Sequence, residues 1–144
     1  MLFRVHEQSM IDRLRLLKLT LQISGAATTL AFAAMLLPVE WMAEIHHRLG
    51  LGAFPRAPVT EYLARSISLL YGFHGILTII VGTDPVRYRP IVTYIASMYL
   101  VTAVAIAAID IHAGMPWWWT VGESGTIGVL GLLLTFLNVR RSVS

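Results

Sequence analysis

The chain has 144 residues, of which 56% are hydrophobic and 13% are charged, with a formal net charge of +3 and a sequence pI near 9.7. Soluble domains carry roughly 25% charged residues, and four long apolar blocks are too many for a soluble core of this size, so a soluble globular fold is excluded. Because the sequence has no cysteine, disulfides, thiolate catalysis, iron–sulfur clusters and cysteine-based zinc sites are excluded too. The basic residues stand at the ends of apolar blocks, which favours lipid headgroups over nucleic acid as their partner.

The first 18 residues predict a short amphipathic helix that leads into the first membrane span. Their basic residues are Arg4, Arg13, Arg15 and Lys18. The same segment carries apolar side chains such as Phe3 and Ile11, and this combination is typical of helices at a membrane surface. The apolar run continues past the small-residue pattern Ala31-Phe32-Ala33, which resembles a signal-cleavage site, so we expect a retained span over about residues 19–37.

The loop over residues 38–60 is too apolar to be simply solvated. It predicts a short outer interfacial helix, Glu40–Leu49, followed by a return rich in glycine and proline. On this helix the adjacent His46 and His47 point in different directions, so we expect no shared metal site. Span two is predicted over about residues 60–82, with Thr60 as its N-cap.

Spans three and four follow a tight turn that Asp84-Pro85 opens. They are predicted over about residues 91–111 and 118–139. Span three carries a stripe of small and polar residues, namely Ala96, Tyr99, Ala103, Ala107 and Asp110. Span four carries a ridge of small residues, namely Ser124, Gly128, Gly131 and Thr135. Such ridges allow close helix packing in a bilayer.

The distribution of basic residues predicts the orientation. The N-terminal segment, the turn after span two and the C-terminus hold Arg4, Arg13, Arg15, Lys18, Arg87, Arg89, Arg140 and Arg141, and the other side holds Arg48, Arg56 and Arg65. The positive-inside rule then places both termini in the cytoplasm. We therefore predict one integral domain over 1–144, an all-α four-helix transmembrane bundle with both termini on the cytoplasmic side of a bacterial inner membrane.

Polar residues from three span ends are predicted to converge on the outer side. They are Glu61, Arg65, Asp110, His112 and Glu123, beneath a lid formed by Trp117, Trp118 and Trp119. Because an unpaired charge inside a span costs several kcal/mol, we expect Arg65 to pair with Glu123 or Asp110. One interpretation is a polar pocket for a small or amphiphilic ligand, and the other is an ion pair that only sets helix packing.

His74 is the deepest ionisable residue, with Tyr71 on the same helix face. A neutral imidazole bonded within the protein is one interpretation, and contact with a quinone or lipid is another. Haem ligation is a third, but haem iron normally needs a second axial ligand or an open distal site at matching depth, and His112 lies near the rim. The sequence has no motif for a catalytic site, a phosphate loop or a di-metal centre, so we expect no catalytic residue and no metal ligand apart from His74 as a possible haem ligand.

The pattern from Arg65 to Gly131 resembles small bacterial four-helix membrane proteins of the DoxX-like kind, many of them uncharacterised. It rests on Arg65, Gly72, Gly75, Asp84, Pro85, Asp110, Gly114, Pro116 and Glu123. The resemblance implies a four-helix fold, and some members of the family are associated with membrane quinol oxidation. His74 and the three tryptophans do not match the family pattern, so no catalytic residue is implied.

The leading functional hypothesis is a non-enzymatic membrane subunit or lipophilic small-molecule binder with an outer polar pocket. Its partners would be the lipid bilayer and either further copies of the chain or a larger membrane complex. The alternatives are a haem- or quinone-binding component of a redox complex and an oligomeric channel or transporter. No nucleic-acid partner is expected.

Overall fold

Six helices make up residues 2–138, the part of the chain that the computed structural model describes, and these residues contain no strand. The helices are α1 (Leu2–Thr29), α2 (Ala31–Leu36), α3 (Val39–Arg48), α4 (Pro58–Thr83), α5 (Arg89–Ala113) and α6 (Trp117–Asn138). The side chains of residues 2–7 and of Ser9 are not described. The predictions that concern Phe3, Arg4, Val139, Arg140 and Arg141 therefore fall outside the residues and side chains that the structure describes.

Four segments are long and apolar enough to cross a membrane. They are Met10–Leu36, Pro58–Thr83, Arg89–Ala113 and Trp117–Asn138. Each is at least 22 residues long, and a helix of about 20 residues matches the roughly 30 Å hydrocarbon core of a bilayer. The predicted all-α class and the four predicted spans are confirmed.

The N-terminal helix leads into the first span, as predicted. The two form one unbroken helix, α1, because no proline or glycine precedes Gly25. A break follows at Leu30. Just before it, the hydroxyls of Thr28 and Thr29 donate to the carbonyls four residues back, a pattern that bends helices.

Prolines set the boundaries around α3 and α4. Leu37 is extended because it precedes Pro38, and α3 then covers nearly the predicted Glu40–Leu49. The prediction that Thr60 caps α4 is wrong, since that helix already begins at Pro58. Proline is favoured at the first helical position, where its missing N–H has no partner to lose.

Residues 2–22 and 81–138 form one compact unit, here called the hairpin unit. Its apolar core contains Leu17, Leu21, Val81, Val92, Ile95, Ala96, Tyr99, Leu134 and Leu137. The turn before α5 closes as predicted, because the Asp84 carboxylate accepts the backbone N–H of Arg87 at 3.1 Å. After α5, Gly114 takes a left-handed φ of 71°, and Met115 N–H bonds back to the carbonyl of Asp110 at 2.9 Å.

Residues 23–80 form the second compact unit, here called the glycine unit. In it α1 and α4 meet backbone to backbone. A Cβ built on Gly75 would lie 2.7 Å from the carbonyl oxygen of Gly25, and one built on Gly25 would lie 2.8 Å from that of Gly75. Gly72 is covered by the ring of Phe32 in the same way. These glycines let two helices approach closely, as in small-residue interfaces of membrane proteins.

Candidate functional site

The antiparallel register of α5 and α6 is fixed by three contacts along the hairpin unit. A Cβ on Gly128 would lie 3.4 Å from the Cβ of Ala103, and one on Gly131 would lie 3.0 Å from the side chain of Leu100. Moving three residues toward the C-terminus of α6, from Gly128 to Gly131, moves the contact three residues toward the N-terminus of α5. The same step continues to Asn138, whose amide donates to the hydroxyl of Thr93 at 2.8 Å.

This register places Asp110 and Thr120 at the same depth. Extended toward the connecting turn, it puts Asp110 opposite Val121, the residue after Thr120. Both side chains also lie on the facing sides of their helices. Asp110 is seven residues from Ala103, and Thr120 is eleven residues from Gly131, and each spacing returns within about 20° of the same helix face. Asp110 and Thr120 are therefore neighbours across the hairpin.

Both side chains are buried and each has an atom without a hydrogen-bond partner. The exposed fraction is 7% for Asp110 and 9% for Thr120. Within the described part of the chain, Asp110 Oδ2 and Thr120 Oγ1 make no hydrogen bond. Buried polar atoms are satisfied in most native structures, and an unpaired buried hydroxyl or carboxylate costs about 1–3 kcal/mol or more. The two atoms do not bond each other, so each is a place where a ligand or an ordered water would complete the bonding.

We call Asp110 and Thr120 together the Asp110 site. Their side chains offer mainly hydrogen-bond acceptors. An ionised carboxylate only accepts, and a threonine hydroxyl both accepts and donates. A carboxylate enclosed in a span also needs a positive charge, a proton or strong donors nearby. A ligand that supplies an amine or hydroxyl group to Asp110 and Thr120 would meet both needs.

The other predicted outer residues of the hairpin unit surround the connecting turn. Glu123 is partly buried on the same side of α6 as Thr120, three residues further on, and His112 is exposed. Trp118 is 42% exposed and packs edge-on against Trp119, with ring centres 5.9 Å apart. The structure thus brings Asp110, His112, Trp118 and Glu123 to one end of the hairpin.

Arg65, Tyr71 and His74 lie instead on α4 in the glycine unit. The Arg65 guanidinium binds the Glu61 carboxylate one turn earlier, with Nε 2.9 Å from Oε1. It also donates to the backbone carbonyl of Met35, and to that of Leu37 at 3.3 Å. All these partners lie in Arg65's own unit, and the pairing of Arg65 with Asp110 or Glu123 stays a prediction.

These bonds give Arg65 a structural role at the end of α2. The last carbonyls of a helix have no partner within the helix and carry a partial negative charge. A guanidinium is suited to this position because its planar fork donates in several directions. Arg65 therefore caps α2 from α4 and joins the two segments.

The residues considered for a cofactor or a metal show no ligand set. Tyr71 is 46% exposed, and His74 is partly buried on α4. His46 Nδ1 lies 3.2 Å from the carbonyl oxygen of Gly52, and the ring of His46 packs edge-on against Phe54. Among residues 8 and 10–138, whose side chains are described, no group of three or more histidine, aspartate or glutamate side chains is placed to hold a metal. The haem and quinone hypotheses gain no support from these positions.

Two site features were missed from the sequence. Thr120 was not singled out, although it lies on the same face of α6 as Gly131 of the predicted ridge, and that spacing would have found it. The carbonyl partners of Arg65, on Met35 and Leu37, were not identified, although Pro38 indicated that a helix ends there. Comparison of the chain with protein-family models, curated proteins and solved structures finds no match.

Proposed function

We propose that this chain is a non-enzymatic multi-pass membrane protein that binds a lipophilic small molecule at the Asp110 site. The observation that carries the proposal is the pair of enclosed, partnerless oxygens on Asp110 and Thr120. Ligand sites combine an apolar wall with a few polar groups that fix orientation, and ionisable residues inside a span usually mark such sites.

The chemistry of the site narrows the ligand class. The polar end of the ligand would carry an amine or a hydroxyl, which donates to the carboxylate of Asp110. Its apolar part would lie against the exposed indoles of Trp117 and Trp118, which are 77% and 42% exposed. Tryptophan prefers the boundary between lipid tails and headgroups, where amphiphilic molecules also collect.

For the topology, we infer a bacterial inner membrane protein with both termini in the cytoplasm and the Asp110 site on the outer side. The support is the excess of basic residues in the N-terminal, 83–90 and C-terminal segments. The DoxX-like assignment and the presence of further copies or partner subunits are likewise proposals, the first from the pattern between Arg65 and Glu123. A tag at Ser144 accessible only from outside the cell would overturn the inferred topology.

The binding proposal is tested by identifying what copurifies with the protein. The chain is purified from native membranes, and its bound small molecules are extracted and measured by mass spectrometry. Asp110→Asn and Thr120→Val should each lower the occupancy of the same amphiphile, because the first removes the carboxylate charge and one acceptor oxygen and the second removes the hydroxyl. Asp12→Asn and Thr126→Val are matched controls, since both side chains are exposed. Equal occupancy in all five proteins, or no amphiphile on the wild type, would overturn the proposal.

A further inference from the structure

The opposite end of the hairpin unit holds a second polar group without a partner. Arg13 Nη1 is enclosed and has no hydrogen-bond acceptor among the described residues. The guanidinium lies over the ring of Phe136, with Cζ 5.0 Å from the ring centre. A cation over an aromatic face is attracted to the ring, but the ring accepts none of the in-plane N–H bonds of the fork. The ring thus holds the arginine in place while Nη1 lacks a hydrogen-bond acceptor among the described residues.

The position of Arg13 marks the membrane boundary at that end. Phe136 lies two residues before Asn138, which bonds to Thr93 near the start of α5. Arg13 itself lies three residues into the apolar segment Met10–Leu36, about 5 Å along the helix from its first residue. Headgroup phosphates occupy this depth, and long basic side chains near helix ends reach toward them.

The neighbours of Arg13 suit a lipid better than a soluble anion. Met10 and Leu16, three residues to either side on the same face, are 44% and 47% exposed. They offer an apolar surface for an acyl chain beside the guanidinium. Arg15 and Lys18 are exposed on the same helix and add positive charge. The exposed carboxylate of Asp12 is the nearest in sequence, but it points about 100° away around the helix.

We propose that Arg13 binds the phosphate of an anionic phospholipid at the end of α6. Arg13 is partly exposed, so a small rotation of its side chain would turn Nη1 and a second nitrogen of the fork toward two phosphate oxygens, a geometry in which arginine is favoured over lysine. Phe136 holds the fork in position, and Met10 and Leu16 contact the first part of an acyl chain. This site is separate from the Asp110 site and does not depend on the function proposed for it.

The test compares lipid retention by matched arginine variants. Wild type, Arg13→Gln and Arg15→Gln are placed in nanodiscs of mixed phosphatidylglycerol and phosphatidylcholine, released, and analysed by native mass spectrometry. Loss of a charge-assisted hydrogen bond predicts about tenfold weaker retention of phosphatidylglycerol by Arg13→Gln. Arg15→Gln should resemble the wild type. If both variants lose phosphatidylglycerol equally, retention depends on the general surface charge, and the proposed site is overturned.

Two further arms keep the test decisive. Phe136→Leu keeps the arginine but removes the ring, so it should also weaken retention, which covers the case in which Arg13→Gln does not fold. Addition of 10-fold excess glycerol phosphate over lipid, chosen as the soluble probe, should displace little phosphatidylglycerol if acyl contacts contribute. Complete displacement would show a site for free phosphate and overturn the lipid assignment.

Discussion

Arg65 donates from Nη2 to the carbonyl oxygen of Leu37 at 3.3 Å, across 28 residues of sequence. The same guanidinium binds Glu61, so one side chain satisfies both a carboxylate and the end of α2. This relationship is a tertiary helix cap, and it gives a direct prediction about stability.

Arg65→Leu should destabilise the protein. The substitution leaves the carbonyls at the end of α2 and the partly buried Glu61 without a donor, and lost bonds to a charged group cost about 2 kcal/mol. Thermal unfolding in detergent, followed by circular dichroism, measures the change. Arg48→Leu is the control, because Arg48 also pairs with a glutamate one turn earlier but lies exposed. If Arg65→Leu and Arg48→Leu have the same melting temperature, Arg65 does not cap α2.

Gly75→Ala should also destabilise, for a steric reason. Its new methyl group would lie 2.5 Å from the backbone nitrogen of Thr29, so two helices must separate. Overpacking of this kind costs about 1–3 kcal/mol. Gly125→Ala is the matched control, since nothing lies within 4 Å of its built Cβ and alanine favours helix. A reversed order of the two melting temperatures would rule out the close contact of α1 and α4.

Thr120→Val should stabilise the ligand-free protein while weakening ligand binding. The substitution removes an enclosed hydroxyl without a partner and keeps the side-chain shape, for a gain of about 1 kcal/mol. Thr126→Val should have little effect, because the exposed Thr126 already donates to the carbonyl of Gly122. Melting of both variants after delipidation checks this. If Thr120→Val melts at a lower temperature than the wild type, the Thr120 hydroxyl has a hydrogen-bond partner in the wild type.

The register of α5 and α6 can be checked by crosslinking. Cysteines at positions 103 and 128 would have Cβ atoms about 3.4 Å apart, close to the roughly 3.5–4.5 Å of disulfides. Ala103→Cys with Gly128→Cys should therefore oxidise readily, with no native cysteine to interfere. Val104→Cys with Gly128→Cys is the control pair, since Val104 is 73% exposed. Mass spectrometry of digests reports the bond, and equal yields would contradict the register.

The exposed pair on α3 gives a prediction about pH. The hydrogen bond from Arg48 Nε to Glu44, 2.6 Å long, lowers the pKa of Glu44 from its ordinary value of 4.5, and the charge of Arg48 lowers it further. Because folding lowers the pKa of Glu44, the ion pair stabilises the helix fully at pH values above 4.5. This stabilisation is lost as the pH falls through the lowered pKa of the folded state. Carboxyl NMR of Arg48→Gln should show the pKa of Glu44 rising, and Arg56→Gln should leave it unchanged.

The spans were predictable because they depend on composition and length alone. A block such as Ile91–Ile111 is too apolar for water whatever its neighbours are. The small-residue ridge on α6 was predictable for a similar reason, since helix periodicity places Gly128 and Gly131 near one another without knowledge of the partner. In the structure both pack against α5.

The polar contacts were less predictable because they depend on register and on helix ends. Arg65 was expected to need an acidic partner, and Glu61 one turn earlier provides one, but its bonds to the carbonyls at the end of α2 depend on how two helices meet. Asp110 was found from its charge. Its neighbour Thr120 required the alignment of two helices, which contacts far along the hairpin determine.

The connection between α5 and α6, closed by Gly114, consists of three residues. So short a link does not let the two segments enter the bilayer far apart, and they are therefore expected to leave the translocation machinery as a pair. We therefore expect α6 to follow α5 closely during synthesis and to shield Asp110 from the acyl chains. A chain arrested before Trp117 would expose that carboxylate to lipid, which makes the order of translation part of how this protein tolerates a buried acid.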